Sequence, residues 1–167
     1  MAAGDISTPR KDSSGFFQYP GEEASAAAAF LAHLHEDEVA EVLAFTQSRR
    51  YRAGEMVVRQ GDQDTSLFIV AAGQFEVLVN GPHGSQKAGT LNPGEIFGEL
   101  SFFDGEARSA DIRSVGDGEA MVLTAVGFDR LRVARPRLAL MLVLDLGRVL
   151  SLRFRSHNRK LAAAGRL

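Results

Sequence analysis

The sequence predicts an α+β chain that is mainly β, a jelly-roll β-barrel flanked by N-terminal helices and a long C-terminal helix. Three observations carry this. Between Arg49 and Val126, short runs of Val, Ile, Leu, Phe and Thr are broken every several residues by turn signals such as Gly61-Asp62, Ala72-Gly73, Pro93-Gly94 and Gly116-Asp117-Gly118. No helical pattern alternates with these runs, which argues against a parallel sheet. On both sides of the span the apolar spacing lengthens to that of helices.

The 167 residues suffice for one ordinary domain with a single core. A hydrophobic fraction of 45% and a charged fraction of 24% are those of a soluble globular protein. A net charge of -2 excludes whole-molecule attraction to nucleic acid or an anionic membrane. The absence of cysteine removes disulfide and thiol chemistry and fits a reducing compartment. No secretory signal and no apolar run of roughly 20 residues is present, so the expectation is a cytoplasmic protein without a membrane partner.

Residues 1–23 mix Gly, Ser, Asp, Lys and Pro with little periodicity, and are expected to form a flexible arm preceding a single domain over 24–167. Within the arm, Phe16, Phe17 and Tyr19 are read as folding back onto the domain, with a docking patch as the alternative. Residues 24–46 predict two short helices broken near His35, with Glu36, Asp37 and Glu38 in the first turn of the second. His33 and His35 stand two apart and so point to different sides of a helix, which makes them surface residues rather than a metal pair. Strands are expected at Met56–Arg59, Leu67–Ala71, Phe75–Asn80, Lys87–Leu91, Ser109–Ser114 and Ala120–Thr124, with a hairpin tip at Gly81-Pro82-His83-Gly84.

The C-terminal helices are expected over 128–162. Phe128–Ala134 forms a short one, and Pro136, suited to a first helical position, opens a longer one toward Lys160. Leu138, Met141, Leu142, Asp145, Val149 and Leu152 trace its inner stripe. Leu140, Leu144, Leu150 and Phe154 widen the apolar surface beyond what one barrel face needs, which suggests a homodimer through this helix. Beyond Leu146, Arg148, Arg153, Arg155, Arg159, Lys160 and Arg166 have no acid among them. They are read as cations favoured near a helix C-terminus rather than as a nucleic-acid surface.

The chemistry concentrates between Phe97 and Ala110, where Glu99 and Arg108 sit in an otherwise greasy segment. Buried charges of opposite sign either bond to each other or await a ligand that satisfies both. A guanidinium suits a phosphate, and a carboxylate accepts from hydroxyls, so a sugar phosphate would answer both.

This stretch resembles the phosphate-binding cassette of the cyclic-nucleotide-binding domain family, as found in the sensor domain of bacterial catabolite-activator-type regulators. The resemblance rests on Gly98, Glu99, Leu100, Ser101, Gly105, Arg108, Ser109 and Ala110, with further likeness at Tyr51–Glu55, Gln60-Gly61-Asp62 and Ala72–Val77. It implies that Arg108 holds a cyclic phosphate and Glu99 the ribose 2'-hydroxyl. Gly98 would let the backbone approach the ligand. Ser109 would add a hydroxyl contact, and Val77, Ala88, Leu91 and Ala110 would wall the purine. Where relatives place a base-capping hydroxyl, this chain has Val149, Arg153 and Phe154, so Arg153 is the candidate base contact, and cAMP and cGMP both stay open as ligands. The implied function is a regulatory sensor, not an enzyme, that signals to an effector protein by moving its C-terminal helices and needs no cofactor. No metal triad of His and carboxylates and no Ser-His-Asp set can be assembled from the sequence. The alternative is a dimerisation module of the same fold with a silent pocket.

Overall fold

The computed structural model describes residues 31, 34–82, 84–163 and 165, with Lys160 described by its backbone alone. The expectations for the arm over 1–23, for Phe16, Phe17 and Tyr19, for His33, His83 and Arg166, and for most of the first predicted helix lie outside these residues. In chain order the elements are α1 (Glu36–Leu43), β1 (Gln47–Tyr51), β2 (Met56–Val58), β3 (Leu67–Ala72), β4 (Phe75–Gly81) and β5 (Gly84–Leu91). They continue with β6 (Ile96–Phe97), α2 (Glu99–Asp104), β7 (Asp111–Ser114), β8 (Gly118–Leu123), α3 (Ala125–Ala134) and α4 (Pro136–Ala163).

The strands form two antiparallel four-stranded sheets, ordered β1-β8-β3-β6 and β2-β7-β4-β5. Together with the flanking helices they make the jelly roll that the texture of the sequence predicts. Successive side chains of a strand point to opposite faces, and β3 uses both. Phe68 and Val70 enter the apolar space shared with Phe75, Leu91, Phe97 and Ile112, while Leu67 and Ile69 join the helices on the outside. β8 divides likewise, with Ala120 and Val122 facing inward and Met121 and Leu123 facing α3 and α4. The sheet containing β3 and β8 is therefore sandwiched between two cores, which explains why Leu67–Val70 form an unbroken apolar run rather than an alternating one. Inside the barrel, Phe68 and Phe97 stack with ring centroids 4.6 Å apart.

Two strands are absent from the sequence prediction, and several boundaries differ. β1 is the exposed polar run Gln-Ser-Arg-Arg-Tyr, whose apolar content is too low to signal a strand; it pairs with β8 from Gln47↔Val122 to Tyr51↔Gly118. Its charges suit a sheet edge, where they discourage further pairing. β6 is only two residues long and lies inside the cassette. Ser109 and Ala110 precede β7 instead of belonging to it. α3 starts at Ala125 rather than Phe128 because the Thr124 hydroxyl accepts a hydrogen bond from the Gly127 N–H at 3.1 Å. Gly127 is required there, since a Cβ would lie 2.6 Å from the Phe45 carbonyl oxygen. In α1 the acidic first turn is present as expected, and Glu38 accepts from the backbone N–H of His35, an exposed residue that precedes the helix.

α4 buries Leu138, Ala139, Leu142, Asp145, Leu146 and Val149. Met141 and Leu152 of the expected stripe are only half-buried, and so is Leu150, whereas Leu140, Leu144 and Phe154 are exposed. Two ion pairs, Arg135 with Glu41 and Arg137 with Glu38, join α1 to the start of α4. The expectation of uncompensated cations beyond Leu146 fails at Arg148 and Arg153 at least, because the acids that answer them lie earlier in the chain: Arg148 pairs with Asp145 and Arg153 with Glu99. Asp145 is fully buried, with Oδ1 accepting from Arg148 Nη1 at 2.6 Å and Oδ2 lacking any partner. A buried, half-satisfied carboxylate costs stability. Replacing both members of the pair, Asp145→Leu with Arg148→Leu, is therefore expected to leave stability unchanged or raise it by roughly 1–2 kcal/mol in urea denaturation, and a net loss would show that the pair is better compensated than its hydrogen bonds indicate.

Candidate functional site

Arg108 follows the loop after α2 and is 4% exposed. The segment preceding β3 holds it from both directions. Its backbone N–H donates to the Asp62 carbonyl at 2.8 Å, and its carbonyl accepts from Gly61 N–H at 2.9 Å. At the guanidinium, Nη2 donates to Asp64 Oδ2 at 2.6 Å and to the Ser66 carbonyl at 2.7 Å, and Nη1 donates to the Gly98 carbonyl at 3.1 Å. The group also lies 5.5 Å from the centroid of the Phe68 ring. Nε alone is buried without a hydrogen-bond partner. Asp64 is fixed in turn by the Ser66 N–H at 3.0 Å and hydroxyl at 2.8 Å. Partial burial pushes the Asp64 carboxyl upward, but the hydrogen bonds from Arg108 and Ser66 and the guanidinium charge outweigh it and hold the group below the ordinary aspartate value.

Gly98 has a structural reason besides the one the resemblance implies. It adopts φ 81°, and a Cβ there would collide with Arg108 Nη1 and lie 2.7 Å from the Ser66 carbonyl oxygen. The missing side chain makes room for the guanidinium.

Glu99 opens α2 and is 7% exposed. Glu99 and Arg108 do not bond to each other, and each has another charged partner. Glu99 Oε1 accepts from Arg153 Nη1 at 2.5 Å, while Arg153 Nη2 donates to the Ile96 carbonyl at 2.6 Å. The C-terminal helix thus reaches the cassette across 54 positions of sequence.

These groups surround a cavity of about 310 Å³. The residues predicted to touch a ligand line it: Gly98, Glu99, Leu100, Ser101, Arg108, Ser109 and Ala110 from the cassette, Val77, Ala88 and Leu91 from β4 and β5, and Arg153 from α4, whereas Gly105, Val149 and Phe154 are not in the lining. Sequence reasoning missed Gly89, Thr90, Glu95 and Ile112 in the lining, and it missed Asp64, which seats Arg108 from outside. Asp64 is separated from Arg108 by 44 positions, so no spacing rule connects them. Among the described residues no His, Cys, Asp and Glu group could hold a metal ion.

The sequence model of the cyclic nucleotide-binding domain matches residues 48–134, just over half of the chain. The chain belongs to the cyclic nucleotide-binding domain family. Among solved structures, the catabolite activator protein of Thermus thermophilus superposes with a TM-score of 0.72 at 29% identity, covering 82% of this chain and 63% of that one. The cyclic AMP receptor protein of Thermus thermophilus is 35% identical over 91 residues, 54% of this chain and 42% of that protein. Glutaminase 2 of Bradyrhizobium diazoefficiens is 30% identical over 132 residues, 79% of this chain but 20% of that protein. The chain spans less than half the length of the curated relatives it matches. As a cyclic nucleotide-binding domain, it resembles the sensor domain of catabolite-activator-type regulators.

Two expectations follow from the Arg108 seat. Gly98→Ala should displace the guanidinium and lower stability by at least about 1 kcal/mol, checked by thermal and urea melts. Asp64 has a lowered folded value, so its stabilisation is full above the ordinary value of about 3.9 and is lost as pH falls through the lower folded one. Acid unfolding of Asp64→Asn should therefore show a weaker pH dependence below pH ~4 than the parent protein; superimposable acid limbs would refute that coupling.

Proposed function

We propose that this chain is a regulatory sensor that binds a 3',5'-cyclic nucleotide, cAMP in the first instance, in the cavity between the cassette and α4. The observation that carries the reading is the buried, unpartnered Nε of Arg108 in a side chain that lines this cavity. A cyclic phosphate oxygen would satisfy it. In this reading Arg108 and the first N–H groups of α2 hold the phosphate, Glu99 accepts from the ribose 2'-hydroxyl, and Ser109 adds a hydroxyl contact. Val77, Ala88, Leu91 and Ala110 flank the base, with Gly98, Leu100 and Ser101 completing the cradle. The likeness to a cyclic AMP receptor protein supports cAMP; the likeness to a cGMP-dependent protein kinase of Plasmodium berghei, 33% identical over 85 residues, keeps cGMP as the other ligand to test.

The domain acts by binding rather than by catalysis, in the cytoplasm, and passes its signal to an effector protein as α4 shifts between two packings. A ligand moves that balance only by its different affinity for the two states. No helix among the described residues is long and apolar enough to cross a membrane. The exposed Leu140, Leu144 and Phe154 support a homodimer through α4.

A second reading, a dimerisation module with a silent pocket, is favoured by one feature: the charges of the cavity already have partners, Arg108 with Asp64 and Glu99 with Arg153. Calorimetric titration of protein stripped of copurified nucleotide separates the two. cAMP or cGMP should bind at micromolar or better affinity, and Arg108→Ala should cost about 2–5 kcal/mol, roughly thirty- to several-thousand-fold. Millimolar or absent binding of both nucleotides would leave the silent module.

A further inference from the structure

We infer that Gly89 sets the size of base that the cavity accepts, its missing side chain leaving room that a purine fills and a pyrimidine does not. The inference rests on the cyclic-nucleotide reading of the cavity. A glycine inside a strand needs a reason, because it adds no packing and loses more backbone freedom on folding than any other residue. Gly89 stands within β5 and lines the cavity. The ordinary reasons are missing there. Its φ lies outside the left-handed region that favours glycine, unlike those of Gly84, Gly94 and Gly98. The protein does not need the space either: a Cβ at Gly89 would meet no atom within 4 Å, whereas one at Gly98 would strike Arg108. The pairing of β4 with β5 does shift between Val77 and Leu78, but the extra residue of that bulge is Ala88.

What the empty space faces follows from the strand register. Val77 of β4 stands directly opposite Gly89, and directly opposed residues of an antiparallel pair send their side chains to the same side of the sheet. Val77 packs against the barrel core and lines the cavity. A side chain at Gly89 would therefore enter the cavity, and the open space at its Cβ position belongs to the ligand. With the phosphate on Arg108 and the ribose on Glu99, the apolar wall of Val77, Ala88 and Leu91 remains for the base. Gly89 widens that wall from within β5. The second ring of a purine would occupy the added width and bury apolar surface there, whereas a single-ring pyrimidine would leave it unfilled.

The test titrates the stripped full chain, as parent, Gly89→Ala and Gly89→Val, with cAMP, cGMP and the pyrimidine nucleotide cCMP. In the parent, the better purine nucleotide should bind at least about tenfold more tightly than cCMP. In Gly89→Val that purine nucleotide should weaken by roughly ten- to a hundredfold, the penalty of overpacking a fitted space, and cCMP by about threefold or less. Gly89→Ala should fall between parent and Gly89→Val. Undiminished purine affinity in Gly89→Val would overturn the inference, and so would equal losses for purine and pyrimidine, which would place Gly89 beside the phosphate or ribose. Thermal melting of the ligand-free proteins supplies the independent arm. Because neither the backbone nor the packing asks for glycine, both variants should melt at or above the parent's temperature, and a lower melting temperature would overturn the inference by revealing a structural need for it. A parent that bound no cyclic nucleotide would remove the cyclic-nucleotide reading and this inference with it, whereas purine binding left intact by Gly89→Val would remove this inference alone.

Discussion

A guanidinium taken out of water has to be answered by nearly every group around it, and the seat of Arg108 shows how much of the fold that requires. Asp64 and the Ser66 carbonyl come from the segment before β3, the Gly98 carbonyl from the turn between β6 and α2, and the Phe68 ring from the barrel interior. The stretch from Asp64 to Phe68 and the cassette from Gly98 to Arg108, distant in sequence, must meet for the charge to be tolerated. The arrangement leaves one donor, Nε, without a partner. A site prepared in this way holds its cation in place before any anion arrives, so that a ligand does not have to supply the ordering of the side chain.

The barrel places that seat beside a helix that can respond to it. β3 and β8 carry apolar residues on both faces, so one sheet belongs to the barrel interior and to the helix-facing core at once. α4 packs on the outer core through Leu138, Leu142, Leu146 and Val149, then reaches the cassette through Arg153. On the same helix Asp145 is buried with one oxygen unsatisfied. Favourable apolar packing and a costly buried carboxylate therefore coexist in α4.

Much of this was legible in the sequence where local chemistry dictates local structure. The strand rhythm between Arg49 and Val126, the acidic first turn of α1, Pro136 at the start of α4 and the cassette from Phe97 to Ala110 all carry short-range signals. Of the cassette residues singled out, all but Gly105 line one cavity. What sequence reasoning missed depends on long-range pairing. β1 is polar and becomes a strand because β8 offers it an edge. The Asp64–Arg108 pair closes across 44 positions and the Glu99–Arg153 pair across 54, and no periodicity encodes either. Gly98 was legible as a necessary glycine, while the Arg108 guanidinium that fills the space beside it was not.

The central claim is that the free Nε–H of Arg108 receives the phosphate of a cyclic nucleotide. The most direct measurement is the arginine Nε–H region of a ¹H–¹⁵N spectrum, with Arg108 assigned by substitution, recorded while cAMP or cGMP is added to stripped protein. The account predicts a saturable shift of the Arg108 Nε–H signal and its protection from solvent exchange, at the nucleotide concentration that titrates binding. An unmoved Arg108 signal at saturating concentrations of both nucleotides would contradict it.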